Sequence, residues 1–105
     1  MEIKVECEGS RSVVYVSGDI DLHSSPKLRE TVLDLFQKRG QEKVILHSSK
    51  VPYVDSSGIA SFVEGLQEAK KKNARFVLVG LNESPRHVLA LTRLLNVFEI
   101  AASEN

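Results

Sequence analysis

Two adjacent serines, Ser56 and Ser57, sit between Asp55 and Gly58 in the stretch "VDSSG", and hydroxyls beside a carboxylate are where this chain's chemistry would first be sought. A serine nucleophile needs a base within reach, and the strand-to-helix turn used by hydrolases reads G-x-S-x-G. The first glycine is absent here. His23, His47 and His87 lie on separate segments, and nothing in their spacing supports a Ser-His-Asp set. They also lack the close spacing that puts two metal ligands on one face, and Asp19 and Asp21 form only a lone acidic pair. Neither a G-x-x-x-x-G-K phosphate loop nor G-x-G-x-x-G occurs. The chain is therefore expected to hold no cofactor or metal and not to be an enzyme.

What "DSSG" can do is set by helix physics. With Asp55 as N-cap, its carboxylate accepts hydrogen bonds from the amides of Ser57 or Gly58 and meets the positive end of the helix dipole. Ser56 is then the first helical residue, accessible to solvent but not activated. Gly58 removes a side chain from the first turn, so another backbone or a protein surface can come close to the serine. A phosphoryl group on Ser56 would meet backbone amides, which favour an anion, and the Asp55 carboxylate, which repels it. These opposed terms predict a modified form that stays folded but binds differently.

The elements around this stretch follow from pattern. Ile3, Val5 and Cys7 alternate with charged residues, a strand period, and Gly9-Ser10 turns it into a partner strand over 13–16. Ser25-Pro26 starts a helix that runs to Arg39 and ends at Gly40, with Leu28, Val32, Leu35 and Phe36 on one face. "KVILH", 43–47, reads as a buried central strand. A second amphipathic helix carries Ile59, Phe62, Val63, Leu66 and Ala69 and ends near Asn73. "RFVLVG", 75–80, is another buried strand, Ser84-Pro85 starts a helix through "RHVLALTRLL", and "NVFEIA" closes the chain as a short strand or extended tail. Strand-helix-strand repeats call for parallel pairs joined by right-handed crossovers. The fold class is thus α/β, a mixed sheet of four to five strands with an N-terminal antiparallel hairpin and three to four helices.

With 105 residues, one domain spanning 1–105 is expected. Lys plus Arg equals Asp plus Glu at 14 each, so no overall field draws the chain to nucleic acid or an anionic membrane. The cluster Lys70-Lys71-Lys72 with Arg75 falls where a helix ends and complements its dipole. The single Cys7 excludes an internal disulfide, and no apolar run approaches the roughly 20 residues that span a bilayer. A cytoplasmic location is the default expectation.

In "VSGDIDLHSSPKLRE", "KVILHSSKVPYVDSSGIASF" and "FVLVGLNESPRHVLALTRLLNVFEI" the chain resembles the STAS domain, in particular the stand-alone anti-sigma factor antagonists of bacteria. The first segment is similar to the family's G-x-[LIV]-D, the second to its D-S-[ST]-G-[LIV]-[GA] signature. The resemblance implies a sheet flanked by helices and control by partner switching. An unmodified antagonist binds an anti-sigma factor that is also a serine kinase and frees the sigma factor. Phosphorylation by that kinase ends binding, and a serine phosphatase restores it. It further implies Ser56 as phosphoacceptor, with Asp55, Ser57 and Gly58 on the same binding surface and Asp21 helping to form the partner-facing side. Self-association is also compatible with it. An alternative within the family is a non-switching adaptor in a lipid-transport or stressosome-like complex. Two departures stand out. His47-Ser48-Ser49 replaces the common Asp-Leu-Ser, putting a titrating group near the signature loop, and Ala60 stands where Gly is common.

Overall fold

The computed structural model describes residues 1–103. The alternating start forms β1 (Glu2–Glu8), which the turn at Gly9 and Ser10 folds back onto β2 (Arg11–Ser17) in an antiparallel pair, Glu8 facing Arg11. Helix α1 (Ser25–Gln37) leads to β3 (Lys43–Lys50), α2 (Ser56–Lys71) to β4 (Arg75–Val79), and α3 (Glu83–Leu91) to β5 (Glu99–Ala101). The five strands lie in the order β1-β2-β3-β4-β5, and every pair after the hairpin is parallel. The mixed sheet expected from the sequence is present, with β3 at its centre.

Alternation along the strands divides the apolar residues between two faces. Val14, Val16, Val44, Leu46, Phe76 and Leu78 join the buried faces of the three helices in the main core. Val13, Ile45, Val77 and Val79 form a smaller buried cluster with Tyr15 and Ala101 on the other face. Helices therefore cover one side only. Arg75 and Glu99, on the same parity as the second cluster, form an ion pair that ties β5 to β4. The chain end read as strand or tail is a strand of three residues.

Boundaries differ from the sequence reading where side chains have other uses. Ser24, not Ser25, is the N-cap of α1, and Ser25 is buried with its carbonyl accepting from Ser61 Oγ at 3.3 Å. That helix stops at Gln37, and Gly40 follows with φ +58, the left-handed conformation of a helix exit. For α3 the cap is Asn82 and Pro85 falls in its first turn. Asn82 Nδ2 donates to the carbonyls of Ser49 and Val51 at 3.0 and 2.9 Å, so the residue that starts α3 also ties down the loop after β3. The helix ends at Leu91 rather than continuing through Leu95, because Arg93 turns left-handed (φ +61) and the Leu94 amide bonds back to Leu89 O at 2.8 Å.

Aromatic contacts close the core. Phe76, 2% exposed, meets Phe36 edge-on with ring centroids 6.3 Å apart. Phe76→Ala should cost about 3–5 kcal/mol, a large part of the roughly 5–15 kcal/mol available to a domain. A thermal melt followed by circular dichroism should fall by about 12 °C or more, and a fall of only one or two degrees would contradict this packing.

Candidate functional site

Past the end of β2 the chain does not leave its neighbour at once. The Gly18 amide donates to Lys50 O at 2.9 Å, the Ile20 amide to Tyr53 O at 3.0 Å, and the Asp55 amide to Ile20 O at 3.0 Å. Ile20 and Val54 pair as an isolated parallel bridge, and both are fully buried. With those two side chains inward, the alternation of an extended backbone turns Asp21 and Asp55 the other way. The structure thus brings together the two segments that carry the candidate residues.

Asp55 is the N-cap of α2, as its sequence position suggests. Its backbone is extended, and Oδ1 accepts from Ser57 N at 2.9 Å, Gly58 N at 3.0 Å and Ser57 Oγ at 2.6 Å. The Ser57 hydroxyl, then the Gly58 amide, hold the carboxyl below its ordinary range against some desolvation, and the Leu22 amide acts in the same direction. Ser56 is the first helical residue and is exposed, and none of the hydrogen bonds among the described residues engages its hydroxyl. The two serines are therefore unequal: Ser57 Oγ gives its proton to the cap, while Ser56 Oγ faces solvent.

Two amides expected to receive an anion on Ser56 are already taken by Asp55. A phosphoryl group there would have to displace the cap to reach them.

Gly58 is buried, and the backbone that approaches it is the chain's own. A Cβ at this position would lie 2.5 Å from Val54 Cγ1, 2.9 Å from Ile20 Cγ2 and 3.1 Å from Ile20 O. The missing side chain lets the first turn of α2 settle on the bridge, and Gly58 supports the exposed serine from beneath.

Asp21 closes the turn that leads into α1 by a similar pattern of bonds, with Ser24 the N-cap of the helix itself. Its Oδ1 accepts from His23 N at 3.0 Å and Ser24 N at 3.1 Å, while Ser24 Oγ accepts from Asp21 N at 2.9 Å. The Ser24 amide is the main cause of a carboxyl held below its ordinary range, desolvation opposes it, and the His23 amide adds to it. Ser24 was not singled out from the sequence, although the D-x-x-S spacing of "DLHS" signals this reciprocal pattern. The bridge residues Ile20 and Val54 were also missed, because one pair of apolar residues in two loops shows no periodicity.

His47 lies elsewhere. It shares the sheet face of Ile45, away from the helices, where its ring meets Tyr15 at 5.3 Å between centroids and its Nδ1 is 3.2 Å from Ser49 Oγ. Although close in sequence to the signature loop, it faces the opposite side of the sheet from the helix that carries Ser56. Among the described residues no helix is long and apolar enough to cross a membrane.

Gly58→Ala should cost about 1–3 kcal/mol through overpacking, read as a lower denaturation midpoint at unchanged m-value. Both carboxyls are depressed below the ordinary aspartate value of 3.8 expected of the unfolded chain, so their contribution is complete above that value and fades as pH falls through the folded ones. The melting-temperature gap between wild type and Asp55→Asn should accordingly shrink as pH drops below 3.8. A gap constant with pH would show that the charge of the cap contributes nothing.

Comparison with known proteins agrees with this architecture. Residues 2–105 match the STAS domain family. The anti-sigma-B factor antagonist of Bacillus subtilis is 29% identical over 104 residues, covering 97% of this chain and 94% of its own. An anti-sigma factor antagonist from Mycobacterium paratuberculosis superposes with a TM-score of 0.85 at 23% identity, over 98% of this chain and 86% of that one. The Bacillus cell fate determinant SpoIIAA in its phosphorylated form gives 0.78 at 18% identity, over 98% and 94%. The chain belongs to the STAS domain family.

Proposed function

We propose that this STAS protein works as the antagonist in a partner-switching cycle in the cytoplasm, a regulator and not an enzyme. In its unmodified form it binds an anti-sigma factor that is also a serine kinase, and the sigma factor is released. The observation that carries the reading is the inequality of the two serines, one exposed and one spent on the Asp55 cap. An acceptor must enter another protein's active site, and Ser56 is the hydroxyl that can do so without dismantling the helix start.

In the kinase step Ser56 Oγ attacks the γ-phosphorus of ATP held by the partner. The Oγ–P bond forms, the bond to the bridging β–γ oxygen breaks, ADP leaves, and the hydroxyl proton passes to a base of the kinase. The protein itself contributes position rather than activation. The product carries a charge of about −1.5 to −2 beside Asp55, which already occupies the nearby amides. The added charge must be desolvated or displaced by any surface that packed against Ser56, and like-charge contact weakens the complex. A serine phosphatase that hydrolyses the exposed ester resets the cycle.

With the cognate kinase and ATP, the protein should gain one phosphate by mass spectrometry, Ser57→Ala should still gain it, and Ser56→Ala should not. Ser56→Asp should weaken binding to the anti-sigma factor by about tenfold or more while its melting temperature stays within a few degrees of wild type, since Ser56 is exposed. Labelling of Ser56→Ala would refute the acceptor assignment. Tight binding without any phosphate on Ser56 would favour the non-switching adaptor.

A further inference from the structure

Among the described residues five large hydrophobic side chains are exposed, and two of them flank the Ser56 site: Leu22 at 70% and Tyr53 at 48%. Isolated surface apolar residues are ordinary. These two, however, belong to the segments joined by the Ile20–Val54 bridge. Tyr53 accepts the Ile20 amide on its carbonyl, and Leu22 opens the turn that Asp21 closes through the His23 and Ser24 amides. The Leu22 amide also bears on the Asp55 carboxylate. Both side chains thus project from backbone held on each side by hydrogen bonds, so little conformational freedom is left to lose when a partner packs on them.

The surroundings define what can pack there. Asp19, Asp21 and Asp55 place three carboxylates around the pair, and Asp19 is exposed. A tyrosine and a leucine on a rigid surface edged by negative charge form an anchor-and-rim arrangement, with apolar contacts supplying affinity and charge supplying orientation. We infer that Leu22 and Tyr53 are the anchors by which the kinase partner is held, seating in an apolar recess of that partner edged by arginine or lysine. The inference rests on the partner-switching reading of Ser56 and names the contacts that deliver it. Ser56 itself is small and polar and adds little area to an interface. The two anchors beside it bring the hydroxyl to the nucleotide, and they act on binding without touching the phosphoryl group.

The test uses the full chain and the purified kinase that labels Ser56 of the wild type. Leu22→Ala and Tyr53→Ala should each raise the Kd for that kinase about tenfold, and the double variant about a hundredfold. Leu91→Ala, equally exposed at the far end of α3, should stay within about twofold. Phosphorylation should slow through KM, with kcat little changed, because the anchors bind and do not react. Melting temperatures of all variants should match the wild type, which separates lost contact from lost fold. If Ser56 is labelled but the double variant binds like wild type, the anchors are refuted and the switching reading stands. If the wild type sediments as a dimer that the double variant abolishes, the patch is a self-association face and the proposal fails. If no kinase labels Ser56, the reading of the site falls and the proposal falls with it.

Discussion

One carboxylate oxygen organises the surface of this molecule. Asp55 Oδ1 gathers two backbone amides and a hydroxyl, and in doing so starts α2, spends Ser57 and leaves Ser56 outside. The cap is effective because its own backbone is held by Ile20 O, and Ile20 is held in turn by Tyr53 O. Beneath it Gly58 leaves room for the Ile20 and Val54 side chains. A helix start, a bridge between two loops and the packing beneath them are one arrangement, and each part presupposes the others.

Much of this was legible in residue order. Period-two alternation, short apolar runs and helical spacing marked the first four strands and the three helices, while the last segment, three residues long as a strand, was open between strand and tail. Asp55 as cap and Ser56 as first helical residue followed from local propensity alone. What escaped was nonlocal. Asn82, rather than Ser84, starts α3 because its amide is wanted by carbonyls at Ser49 and Val51, which lie far away in sequence. The role of Gly58 depends on Ile20, on the other side of α1 and β3. His47 seemed to adjoin the signature loop because only residues of another strand, Tyr15 among them, reveal which face it takes.

The arrangement also suits the proposed switch, in which the surface would change its charge without changing its shape. Asp55 is fixed by donors that do not depend on Ser56 Oγ, so the helix start keeps its bonds whatever that hydroxyl carries. Asp21, bonded to Ser24, is equally independent. Under the proposed function, a face built on two such self-sufficient turns is preorganised, and its affinity for a partner would be governed by desolvation and repulsion rather than by refolding.

The bridge between Ile20 and Val54 joins segments separated by the whole of α1 and β3. Nothing local holds those two residues together, so the junction exists only once β3 has docked beside β2. A chain still emerging from synthesis, or one that has come apart, carries the same "VDSSG" letters but no surface on which to offer them. Under the proposed function, a partner that reads this face would therefore also be reading that the domain is whole, and only finished molecules would carry the signal.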